Sequence, residues 1–179
     1  MELRKSFNTK FSKETLKQVI HWIGNDKEKF DQLMQCFFDS NVNIAFRAGW
    51  TASDIMLKNP DMAKPYLVKL INALKRPLPD SVRRNILRTL QKVKTPENRM
   101  SLVYHHAMCS ITNPKDAIAI RCYALTTAAQ ICKKFPELIP ELQQAITLYM
   151  LPNATPAIKS RIKSILKELK GKQITSFLL

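Results

Sequence analysis

Three glycines in 179 residues leave few places where the chain can take a left-handed backbone cheaply, and this scarcity argues against a β-rich or loop-rich fold. No glycine-rich phosphate loop, G-x-S-x-G elbow or paired-carboxylate motif occurs, so the common nucleotide-binding and hydrolytic signatures are missing. Cysteine is sparse. Cys36, Cys109, Cys122 and Cys132 show neither CxxC nor disulfide-scaffold spacing, and each lies in an apolar helical context where a free cysteine is expected to behave as a small core residue in a reducing cytosol. No run approaches the roughly 18 apolar residues of a membrane span. The opening MELRKSFNTKF lacks the apolar stretch of a signal peptide, so the expectation is a soluble, cytoplasmic protein. Acidic residues are also few: 14 Asp and Glu face 29 Lys and Arg, a net charge of +15. A field of that sign attracts nucleic acid, anionic membranes or acidic proteins.

What is present is helix. Hydrophobic residues make up 45% of the chain, enough for a core, and they recur at helical spacing between proline, asparagine and glycine breakers. The pattern predicts nine helices, over about 12–24, 26–38, 41–58, 61–75, 80–93, 97–111, 115–133, 136–150 and 155–170. Ser12 and Asp26 are the expected N-caps of the first two. Phe46 and Trp50 are expected in the core of the third, Leu87 in that of the fifth and Leu142 in that of the eighth. Connections of about two to five residues make successive helices antiparallel neighbours.

An arginine recurs inside similar phrases: NIAFRAGW at Arg47, PDSVRRNILRTL at Arg83 and Arg84, AIAIRCYALTTA at Arg121 and AIKSRIKSIL at Arg161. The steps are 36, 38 and 40 residues (83−47, 121−83, 161−121), a period that signals stacked helical hairpins. One such hairpin cannot bury its apolar face alone, so neighbours must share a core. The expected organisation is an N-terminal arm at 1–11, one repeat domain at 12–170 and a C-terminal tail at 171–179, for which a cap that folds back is preferred to a short docking peptide.

These phrases resemble HEAT repeats over roughly residues 26–170. Pro65-Tyr66-Leu67-Val68-Lys69-Leu70 and Pro140-Glu141-Leu142 resemble the first helix of a unit; Phe46-Arg47, Val82-Arg83 and Ile120-Arg121 resemble the start of the second. The resemblance implies an all-α, right-handed α-α superhelix of antiparallel hairpins. It also implies that the recurrent arginines bridge turns of their own or an adjacent repeat, a role preferred here over a phosphate ladder.

The expected function is a non-enzymatic binding module without cofactor or metal, contacting nucleic-acid backbones without sequence readout. Its candidate residues are Arg84, Arg88, Lys159, Lys163 and Lys167, placed one turn apart on faces opposite the core and expected to line one side of the stack. The alternative is a scaffold for a peptide or acidic protein. A third reading concerns Trp50 and Asp54, which share a helix face at i, i+4 and resemble the aromatic-carboxylate pair of HEAT-like DNA alkylation repair glycosylases. In those enzymes aromatic residues cradle the damaged nucleotide and an aspartate assists its departure; here the core placement of Trp50 is preferred. His105 and Cys109, also at i, i+4 with His106 beside them, offer two metal ligands but no second pair, and a partly buried His106 satisfied by a neighbour is the preferred reading. His21 has no partner at catalytic spacing.

Overall fold

Helix starts follow side-chain chemistry. In the computed structural model, Ser12 accepts the N–H of Thr15, Asp26 that of Lys29, and Asn41 those of Asn43 and Ile44, so each satisfies donors that a first turn leaves open. The structure describes residues 2–8 and 12–169. Among them there is no strand and all regular structure is helical, as expected of an all-α HEAT-like repeat fold. They divide into two compact units that part between Lys94 and Thr95.

The first unit holds α1 (Leu3–Asn8), α2 (Lys13–Ile23), α3 (Lys27–Phe37), α4 (Val42–Lys58), α5 (Leu67–Ala73) and α6 (Asp80–Leu90). Gly24 ends α2 at φ 52°, a conformation that costs glycine little. The helix expected over 61–75 is α-helical only from Leu67; Pro60–Tyr66 forms a 3-10 segment instead. Two prolines explain this, since Pro60 and Pro65 supply no N–H and the ring of Pro65 crowds the turn before it. The stretch read as an N-terminal arm carries α1, whose Leu3 and Phe7 are buried and which packs on α3 and α4. Arg4 Nε donates to Asp39 at 2.9 Å, and that contact, joined by the N–H of Asn41, holds the Asp39 carboxyl below the usual range.

The second unit holds α7 (Met100–Thr112), α8 (Ile118–Cys132), α9 (Ile139–Ala145) and α10 (Pro156–Leu169). Short 3-10 turns, Glu97–Arg99 and Pro136–Leu138, lead into α7 and α9, and α9 runs on into a π-turn at Ile146–Met150. Helix α8 starts three residues later than expected because Asn113 folds the chain back on itself, accepting the N–H of Lys115 and donating to Asp116 at 2.8 Å. The tail at 171–179 lies outside the described residues.

Within each unit the helices pair as hairpins, α3 with α4 and α7 with α8, while the second helices stack laterally, α4 on α6 and α8 on α10. Lateral hydrogen bonds repeat at nearly one sequence interval. In the first unit Arg88 Nη1 donates to Ser53 Oγ 35 residues away at 2.7 Å, and Tyr66 donates to Asp31, again 35 away. In the second unit Arg161 Nη1 donates to Thr126 Oγ1 over 35 residues at 3.0 Å, and Tyr104 Oη to Glu141 over 37 at 3.0 Å. The period read from the arginines is thus a physical spacing between neighbouring helices. Leu87 and Leu142 are buried, as expected.

The placement of Phe46 and Trp50 differs from expectation. The core stripe of α4 is Ile44, Ala45, Ala48, Gly49, Ala52 and Ile55, and both aromatics sit half-buried beside it. Small side chains let α4 approach its neighbours closely: a Cβ on Gly49 would lie 2.9 Å from Asn85 Nδ2 and 3.3 Å from the ring of Phe37. With Phe37 already filling it, a seam that tight has no room for a further large ring from α4, and Phe46 and Trp50 lie beside it.

Candidate functional site

The outward rings of α4 meet the arginines of α6. Phe46, Trp50 and Asp54 fall at i, i+4 and i+8, one face of a helix. The rings of Phe46 and Trp50 lie 6.3 Å apart at 44°, and the guanidinium of Arg84 sits 5.3 Å from the centre of Phe46, a cation–π arrangement. Arg88 Nη2 lies 2.5 Å from Asp54 Oδ1, with about a fifth to a quarter of each side chain exposed (24% and 21%). Beneath that pair, the Ser53 hydroxyl accepts from Arg88 and donates to the Trp50 carbonyl at 2.9 Å. The guanidinium is therefore fixed from two sides. Its charge is largely compensated by Asp54, while Arg84 has no carboxylate partner among the described residues.

In the second unit Lys159, Lys163 and Lys167 are exposed along α10, opposite the buried Ile158, Ile162, Ile165 and Leu169. A spacing of four residues puts their Cα atoms about 6 Å apart along the helix axis. None has an ion-pair partner among the described residues, because the acid of this helix is taken: Glu168 accepts Lys133 Nζ at 2.6 Å. Elsewhere too, carboxylates are paired, Asp80 with Arg83 at 2.8 Å and Glu97 with Lys134 at 2.6 Å. The two sets of expected contact residues are thus unlike. The α10 lysines are free cations, whereas Arg88 is committed to Asp54.

The recurrent arginines lie in the first halves of α4, α6, α8 and α10, the positions the repeat demands. Their partners are structural. Arg47 Nη1 donates to the carbonyl of Phe7 at 2.5 Å, tying α4 to α1. Arg121, 5% exposed, donates through Nη2 to the carbonyls of Ile111 at 3.1 Å and Tyr149 at 2.5 Å, joining the end of α7 to the π-turn. No phosphate ladder is available from residues used in this way.

A family model for the HEAT repeat domain matches residues 3–169. The chain belongs to the HEAT repeat family. No curated protein and no solved structure is matched by it. As a HEAT repeat protein it is a helical-repeat scaffold, and the family match extends over α1 and α2, beyond the stretch from residue 26 that the sequence phrases suggest. No helix among the described residues is long and apolar enough to cross a membrane, and no group of three or more His, Cys, Asp or Glu is placed to hold a metal there. Exposed His105 and half-buried His106 stack edge to face at 5.3 Å on α7. Helical periodicity alone assigns Phe46 to the core and passes over Ser53. The signal that would have found them is the small-residue seam of α4, which implies that the large residues between its members face away.

Proposed function

We propose that this HEAT repeat scaffold is a non-enzymatic module that contacts nucleic-acid backbones without sequence readout. The observation that carries the reading is the α10 row, Lys159, Lys163 and Lys167, exposed and unpaired on a chain of net charge +15. Phosphate contacts by such side chains release counterions, so affinity falls with salt and tolerates any base sequence. Arg84, which lies over Phe46 with no carboxylate partner among the described residues, adds a cation on the other unit, and Arg88 contributes mainly by holding the Trp50–Asp54 face in shape.

The test is a salt titration of binding to generic duplex. Replacing Lys159, Lys163 and Lys167 together with Gln leaves the fold intact, since exposed substitutions change stability by no more than about 0.5 kcal/mol each. The slope of log affinity against log salt becomes shallower by about 0.9 for each phosphate that is no longer neutralised. An unchanged slope, or no binding by the parent protein at low salt, overturns the proposal and leaves a scaffold for an acidic protein or peptide in front.

A second reading rests on the half-exposed Trp50 beside an ionic Asp54, the arrangement that resembles the alkylation repair glycosylases. Under it the protein releases free base from alkylated duplex, and Asp54→Asn abolishes release while sparing duplex binding. Absence of base release by the parent protein removes this reading.

A further inference from the structure

We propose that His105 and Cys109 form a two-residue clip for a zinc-like divalent ion on the exposed side of α7. The two residues stand at i, i+4, the spacing that puts side chains one above the other on a helix. Cys109 Sγ and His105 Nε2 are 3.7 Å apart, and both residues are exposed. Bond lengths of about 2.3 Å for Zn–S and 2.0–2.1 Å for Zn–N, opened to a tetrahedral angle, put the two ligand atoms about 3.5–3.6 Å apart. The pair therefore already sits at close to the separation of two ligands on one ion, and binding requires a shift of only tenths of an ångström.

The surroundings keep it there. The opposite side of α7 is anchored by the buried Val103, Ala107 and Ile111, so the helix cannot turn the pair inward. His106 packs edge to face on the His105 ring at 5.3 Å. Neither the His105 nor the Cys109 side chain has another hydrogen-bond or ionic partner among the described residues. Cys109 is also the exposed cysteine; Cys36, Cys122 and Cys132 are buried, and burial pushes the Cys132 thiol up to about 12, where it stays protonated.

Thiolate with imidazole selects borderline and soft ions such as zinc or cobalt over magnesium or calcium, which take oxygen ligands. On binding, the Cys109 thiol gives its proton to solvent and the hexaaqua ion releases four waters as it takes Sγ and Nε2 into a four-coordinate shell. Two remaining waters face solvent and stay open to a further ligand. The inference is independent of the nucleic-acid proposal, because neither α10 nor the α4–α6 face takes part.

Cobalt(II) titration of the reduced full chain tests it. The expected result is a near-ultraviolet thiolate-to-cobalt band that saturates at one ion per chain and is removed by zinc. Cys109→Ser abolishes the band, and His105→Gln weakens binding by about tenfold or more, both with an unchanged helical circular dichroism spectrum. His21→Gln, on α2, leaves binding as it was. A band that survives Cys109→Ser, equal affinity in His105→Gln, or no band at all in the parent protein overturns the proposal.

Discussion

Leu87→Ala and Leu142→Ala are each expected to lower the stability of the fold by about 2–5 kcal/mol, read as a shift of the urea midpoint. Both side chains are essentially without solvent contact, at 1% and 0% exposure, one in each compact unit. Truncation removes the burial of several carbon atoms and leaves a cavity that helices locked by lateral hydrogen bonds cannot close. The upper part of the range applies to Leu87, because α6 is pinned to α4 on either side of it by the Asn85–Ser53 and Arg88–Ser53 contacts, at 3.5 and 2.7 Å. A loss under about 0.5 kcal/mol, the scale of an exposed substitution, refutes the assignment of these helix faces to the core.

Arg121→Ala is expected to cost about 3 kcal/mol or more, while Arg161→Ala, from the same place in the repeat, costs about 1 kcal/mol. The difference lies in the partners. Arg121 is buried and donates to two main-chain carbonyls, those of Ile111 and Tyr149, the first of these bonds being buried. Arg161 is half-buried and donates to the hydroxyl of Thr126, which solvent can serve instead. Denaturation of the two variants side by side checks this. Equal losses would mean that the carbonyls find other donors and that burial of Arg121 has no structural role of its own.

The starts of α2, α3 and α4 were legible because they are local. Ser12 and Asp26 act as caps within three residues of themselves, and Pro60, Pro65 and Pro140 act within a turn. The core stripe of α10 was equally legible, since a period of 3.6 is a property of one helix. Where local reading failed, the competing term was also identifiable. The expectation that Trp50 is core followed from its hydrophobicity, but Ala45, Ala48, Gly49 and Ala52 draw α4 so close to its neighbours that a further large ring from α4 fits only beside the seam.

The sequence by itself determined an all-helical chain with a repeat of about 36–40 residues, because propensity, capping and periodicity act within one or two turns and survive without knowledge of neighbours. Only the tertiary structure decided what each charged residue does. Arg84 and Arg88 look alike on a helical wheel, yet one lies over Phe46 and the other is held by Asp54 and Ser53. Arg121 and Arg161 look alike in the repeat, yet one is buried against main-chain carbonyls and the other meets a hydroxyl. An ion pair or hydrogen bond depends on distances of a few ångströms between helices some 35 residues apart in sequence, and those distances are set by the packing of small residues in the seam.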